Sequence, residues 1–291
     1  MKTNIKLAVV LLIIFTAVLI ASEIFAGFNS KLFSTISSQT GINYASVSPF
    51  YYLLYLVLAG LLIPTAIILL LVKYKKIRII NILIVILFLF VMYGFFDLLL
   101  LDIYVFPLHG NVNSTGIELA LLSLLVYVLP VLFTIYYFRY AGKYGKDVLN
   151  ILLFVSISAI ISLYLNITTA LILIAIISVY DYISVFVTKH MITLAKTFSG
   201  SSFGGISLMA RKTKKAEVFL GGGDMAFPAI LANEFFLHYN LTSGIFAVIG
   251  AVLGLSIILF FGKKGKAYPA MAAIGPMQFL FIGLYFLISF I

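Results

Sequence analysis

Apolar residues in this chain come in long blocks separated by short polar or charged stretches, and the blocks predict helices. Nine are long enough to cross a bilayer, at 7-26, 49-72, 79-101, 117-138, 148-165, 168-187, 216-237, 243-261 and 268-290. A helix rises 1.5 Å per residue, so about 20 apolar residues span a hydrocarbon core of about 30 Å. The blocks are too continuous for the alternating strands of a membrane barrel. The fifth and sixth are divided only around Asn166, but their combined length exceeds one crossing, so they read as two helices. The fold expected is all-α, a polytopic membrane bundle of nine transmembrane helices.

Composition agrees. The 291 residues are 64% apolar and only 10% charged, where a soluble domain carries about 25% charged residues. The net charge of +10 does not point to nucleic acid, because the basic residues cluster between apolar blocks, where they face membrane lipids. With no cysteine in the chain, disulfides, thiolate metal sites and a cysteine nucleophile are excluded.

Lysine and arginine accumulate in cytoplasmic loops. Lys2 and Lys6, then Lys73 to Arg78, Arg139 to Lys146, Lys189 to Lys215 and Lys263 to Lys266 occupy alternate connections, while the others hold only Lys31. This places the N-terminus in the cytoplasm and the C-terminus outside, in an integral protein of the cell membrane. Sequons at Asn113, Asn166 and Asn240 fall on the outer side. A second reading makes the first block a secretory signal, since Lys2 and Lys6 precede it and Ala21, Ser22, Ala26 and Gly27 follow its core. Cleavage would leave eight helices with the same orientation. One loop is long, 188-215, with the stretch SGSSFGG and the basic run RKTKK. Short connections elsewhere indicate a single transmembrane domain, 1-291.

An ionisable side chain inside a membrane helix costs about 2.5–3.5 kcal/mol, so each acid there calls for a reason. Glu23, Asp97, Asp102, Glu118 and Glu234 lie near outer ends, and Asp147 and Glu217 near inner ends, where interfacial water solvates them. Asp181 and Asp224 are different. Asp181 lies eight residues before Lys189, and Asp224 nine after Lys215, which puts both roughly 12–13.5 Å below the inner surface on consecutive antiparallel helices. Two carboxyls at one depth share a proton, one acting as base toward water and the other as acid toward a carbonyl. That is the chemistry of an aspartic endopeptidase. Gly221, Gly222 and Gly223 precede Asp224 and permit close approach of a helix or a substrate backbone, and Pro228 loosens the following turn. A proton- or cation-coupled transporter or channel is the competing reading, with the same acids relaying ions.

Tyr180-Asp181 in the sixth block, Gly221-x-Gly223-Asp224 in the seventh and Pro269-Ala270-Met271 at the start of the last together resemble the GxGD intramembrane aspartyl proteases, presenilin and signal peptide peptidase. The chain looks like an archaeal homologue of these. Their final motif is Pro-Ala-Leu, and methionine preserves its bulk and apolarity. The resemblance implies that Asp181 and Asp224 are the catalytic pair. It also implies that Tyr180, the glycines and Pro269-Ala270-Met271 shape the site. A presenilin-like fold is expected, as are substrates that are transmembrane proteins or remnant signal peptides. By the same resemblance, an unwound substrate adds as a strand somewhere in 205-220, which meets the hydrogen-bonding needs of its backbone.

His109, His190 and His238 are scattered and no HExxH occurs, so no metal is expected, and no organic cofactor is implied. Gly205-Ile206-Ser207 has no histidine partner of the kind a serine protease needs. The natural substrate, the cut site, the oligomeric state and any accessory subunits are not legible in the sequence.

Overall fold

A computed structural model describes residues 5–40, 77–105, 116–187, 205–209, 216–262 and 268–290, with isolated positions between 59 and 76. The chain forms α1 (Ile5–Thr40), α2 (Ile77–Val105), α3 (Gly116–Ile135), α4 (Lys143–Tyr164) and α5 (Ile167–Tyr182). Strands β1 (Gly205–Met209) and β2 (Ala216–Gly221) follow, then α6 (Gly222–His238), α7 (Leu241–Phe261) and α8 (Met271–Ser289). Single π-helical turns extend α3 over Tyr136–Tyr140 and α5 over Ile183–Val187. Among the described residues, seven helical segments are long and apolar enough to cross a membrane. The block expected at 49-72 lies outside the described residues apart from isolated positions.

Hydropathy locates crossings better than helix ends. The first apolar block ends at 26, but α1 continues to Thr40. No proline interrupts residues 27–40, so backbone hydrogen bonding propagates past the apolar stretch. Between the fifth and sixth blocks the chain does break. Asn166 is the N-cap of α5, its side-chain oxygen accepting from the Thr169 N–H at 2.8 Å and the Thr169 hydroxyl at 2.6 Å. Asn240 caps α7 in the same way, accepting from the Ser243 N–H at 2.9 Å. Two of the three sequon asparagines are thus committed to helix starts, and Asn113 lies outside the described residues.

The seventh block needs a larger correction. Residues 216–221 are a strand rather than the first turns of a helix over 216-237, and they pair antiparallel with 205–209, inside what read as a loop at 188-215. Gly205 lies opposite Gly221, and the register shifts between Leu208 and Met209. Val218 and Phe219 favour extended backbone, and the three glycines that follow are poor residues with which to propagate a helix backwards. Gly221 is the extended N-cap from which α6 starts.

The chain divides into two compact units, Ala26–Gly145 and the combination of Met1–Phe25 with Lys146–Ile291. In the first, Phe88 and Tyr137 pack with ring centroids 4.4 Å apart, and Phe96 and Phe133 at 5.0 Å, joining α2 to the end of α3. In the second, α6 is central. Met225, Ala229, Ile230, Leu231, Ala232 and Phe235 are all buried.

That second unit is held by close backbone approach and by polar contacts, the two devices available where lipid removes most of the hydrophobic driving force between helices. A Cβ on Gly250 would meet the Met277 carbonyl at 2.7 Å, and one on Gly254 would meet the Ile274 Cα at 2.6 Å, so α7 and α8 touch backbone to backbone. Gln278 of α8 donates to the carbonyls of Pro228 at 3.0 Å and Ala247 at 3.3 Å. On the other side of α6, Asn233 donates to Ser22 of α1 at 2.8 Å, and Ser22 shares a 2.6 Å hydrogen bond with Ser158 of α4. Three helices meet there, because Asn233 also reaches Ser162 at 3.3 Å, one turn along α4 from Ser158.

Candidate active site

Asp181 stands in the last turn of α5, and its Oδ2 accepts a hydrogen bond from the backbone N–H of Met271 at 2.9 Å. Met271 is the first residue of α8, so this N–H has no partner within its own helix. The neighbouring Ala272 N–H is directed at the same carboxylate. The N-cap residue, Ala270, has no side-chain oxygen to offer. Asp181 therefore caps a helix 90 residues further along the chain, at the positive end of its dipole.

Asp224 occupies a comparable position on its own helix. It is the third residue of α6, and its carboxylate folds back onto the backbone N–H of Gly221, the N-cap. This is the reciprocal half of a capping box, with Asp in the role usually taken by Glu or Gln. The absence of a side chain at Gly221 eases the approach, because a Cβ there would meet the Asp224 Oδ2 at a tight 3.1 Å. The two carboxyls lie within electrostatic reach of one another, and both are half-buried.

The glycines have separate tasks. A Cβ on Gly222 would enter the ring of Phe154 on α4, and one on Gly223 would meet the Phe227 ring at 3.3 Å. Gly222 is buried and Gly223 exposed. Pro269, Ala270 and Met271 are all buried at the entry to α8. Behind them, Gly275 lies so close to α5 that a Cβ would clash with the Ser178 hydroxyl, which donates to Ile174 at 2.7 Å. The α5–α8 contact that brings Asp181 to Met271 thus depends on a small residue one turn into α8.

The tyrosines beside Asp181 diverge. Tyr180 is half-buried, whereas Tyr182 is exposed and packs against Phe186 with ring centroids 5.1 Å apart. Just past Asp181, buried Ser184 donates to the Asp181 carbonyl at 2.9 Å within the π turn. Such turns recur at functional sites.

Two acids are misplaced by the reading of solvated helix ends. Glu23 is 4% exposed and Glu234 fully buried. Glu23 lies against the first turn of α7, where a Cβ on Gly244 would meet its Oε1 at 2.7 Å. Glu234 is 3.4 Å from the Nδ1 of His238, one turn on. Asn150 and Phe154, which meet Gly205 and Gly222 beside Asp224, and Gln278, which ties α8 to α6 and α7, are absent from the expected site residues. The available signal was a polar amide inside an apolar block, as at Asn150 and Gln278.

Comparison with known proteins bears on this geometry. The family model for signal-peptide peptidase, presenilin aspartyl protease matches residues 7–287. Among solved structures, a presenilin family intramembrane aspartate protease in space group C222 is similar with a TM-score of 0.64 at 22% identity, over 94% of this chain and 97% of that one. A presenilin family intramembrane aspartate protease in space group P2 gives 0.57 at 22%, over 93% and 96%. At that identity the two structures speak for the fold. No curated protein matches the sequence.

Proposed function

Because this chain belongs to the signal-peptide peptidase and presenilin aspartyl protease family, it is an intramembrane aspartic endopeptidase, and we propose that Asp181 and Asp224 are its catalytic pair. The observation that carries the assignment is the placement of each carboxyl at the start of a helix, within electrostatic reach of the other. Backbone N–H groups hold each acid in a fixed direction, leaving its remaining oxygen edge for water and substrate. The transporter or channel reading finds no support in the family match.

In the proposed reaction a water lies between the carboxyls. The ionised acid takes a proton from that water as its oxygen bonds to the scissile carbonyl carbon, and the protonated acid gives its proton to the carbonyl oxygen. The resulting gem-diol collapses with transfer of a proton to the leaving nitrogen, which breaks the C–N bond and frees an acid and an amine. No metal or organic cofactor enters. The Pro269-Ala270-Met271 entry and Tyr180 shape the pocket beside Asp181. Gly221, Gly222 and Gly223 bring backbone close beside Asp224.

The substrates proposed are transmembrane segments of other proteins and remnant signal peptides. A helix must be opened before its peptide bonds can be attacked, and its freed backbone groups need partners in the bilayer. The β1–β2 hairpin next to Asp224 is suited to supply them by strand addition. The bundle is proposed to act as one protease domain of nine spans over 1-291, in the cell membrane, with N-terminus inside and C-terminus outside. Its basic loops would contact anionic lipid. The first span is proposed to be retained, since Phe15, Leu19 and Ser22 of α1 are buried and Ser22 bonds to α4 and α6. The test is to incubate the full chain in lipid with a single-span peptide and map the products by mass. Cutting by wild type and none by Asp224→Ala is expected; equal cutting by both refutes the assignment.

A further inference from the structure

The side chain of Asn150 is completely buried on α4, and its amide donates to the carbonyl of Gly205 at 3.0 Å. A buried amide is costly unless its hydrogen-bonding groups are met, so its use here is informative. Gly205 opens β1 and lies opposite Gly221, the residue against which the Asp224 carboxylate folds. One turn along α4 from Asn150, the ring of Phe154 fills the space beside Gly222. Two residues four apart share a helix face. That face grips the open end of the hairpin and the first residue of α6 together.

We propose that Asn150 is a positioning residue that sets the register between the β1–β2 hairpin and Asp224, and thereby selects which bond of an extended substrate is cut. The proposal rests on the reading of Asp181 and Asp224 as the catalytic pair and of the hairpin as the receiver of substrate. The physical reason is one of scale. A strand advances about 3.3 Å per residue and a one-residue slip turns every side chain to the other face. Attack requires reacting atoms about 3–3.5 Å apart. Slack of one residue in the hairpin therefore carries the next peptide bond to the water. Asn150 ties the strand from outside the hairpin, on a helix that forms independently of substrate, and so removes that slack.

The experiment compares wild type with Asn150→Leu, which keeps volume without a donor, and Asn150→Ser, which is shorter and milder. The full-length chain in lipid vesicles is given a single-span helical peptide, products are mapped by mass, and kcat and KM are measured separately. Both variants are expected to spread the cuts onto neighbouring bonds and to lower kcat by roughly 10–100-fold, with KM changed far less. If Asn150→Leu does not fold, Asn150→Ser decides. A folded variant that cuts at the wild-type bonds, whether at full rate or uniformly slower, overturns the proposal. Cleavage that survives Asp224→Ala instead overturns the dyad reading, so the two failures are told apart.

Discussion

Asp181 and Met271 are joined by a 2.9 Å hydrogen bond from backbone N–H to carboxylate, across 90 residues of chain. Helix α8 has no side-chain cap of its own, so the proposed catalytic acid also completes the helix that carries the Pro-Ala-Met entry. The proposed catalytic role and the capping of α8 thus fall on the same carboxylate, and the choice of substitution separates them.

Asp181→Asn keeps an acceptor for the Met271 N–H, whereas Asp181→Ala leaves that donor without one. Loss of a cap costs about 1 kcal/mol. The unfolding midpoint of the alanine variant should fall below that of the asparagine variant, while both lose at least about 100-fold in cleavage rate. Parallel thermal unfolding and peptide-cleavage assays check this, and an active asparagine variant would contradict the role given to Asp181.

Gly222 has no room for a side chain because the Phe154 ring occupies it. Gly222→Ala should destabilise the protein by about 1–3 kcal/mol through overpacking and reduce activity by displacing the start of α6. Phe154→Leu in the same chain should recover part of both. Denaturation of the single and double variants measures the coupling, and additive effects would show that the two residues do not meet.

Gln278 donates to two backbone carbonyls, on α6 and α7. Gln278→Leu preserves bulk but leaves the Pro228 and Ala247 carbonyls without this donor, at a cost of about 1–3 kcal/mol. Thermal unfolding in detergent should show the loss, with residual cleavage persisting because neither carboxyl is touched. A variant as stable as wild type would mean the contacts contribute nothing net.

Peptide mimics with a hydroxyl in place of the scissile bond should inhibit, since they resemble the gem-diol and bind more tightly than substrate. Labelled compound should be retained by wild type and released by Asp224→Ala. Cleavage that proceeds unaffected by any such compound would indicate a different reaction path.

What was legible in the sequence follows from where the information lies. Hydropathy reports the preference of a segment for lipid, so α2, α4, α5, α7 and α8 fall close to their expected positions. Asn166 ended one helix and began another because a cap acts within three residues. The Asp181, GxGD and Pro-Ala-Met elements are similarly compact patterns, and they identified the family before any coordinates. The hairpin was missed because 216–221 is as apolar as a helix end, and its strand conformation depends on pairing with 205–209.

The sequence by itself determined that the chain is a membrane helix bundle, and it singled out Asp181 and Asp224 as acids expected at one depth. Both conclusions depend on local composition and on counting residues along a helix. Only the tertiary structure decided what those acids touch. The caps on Asp181 and Asp224, the grip of Asn150 on Gly205 and the burial of Glu23 and Glu234 all depend on neighbours distant in the chain or on the point where a helix starts. A polar side chain in an apolar block has the same hydropathy whether it faces lipid, water or a backbone N–H. Packing of the other helices is what distinguishes these cases, because it alone fixes which groups come within hydrogen-bonding distance.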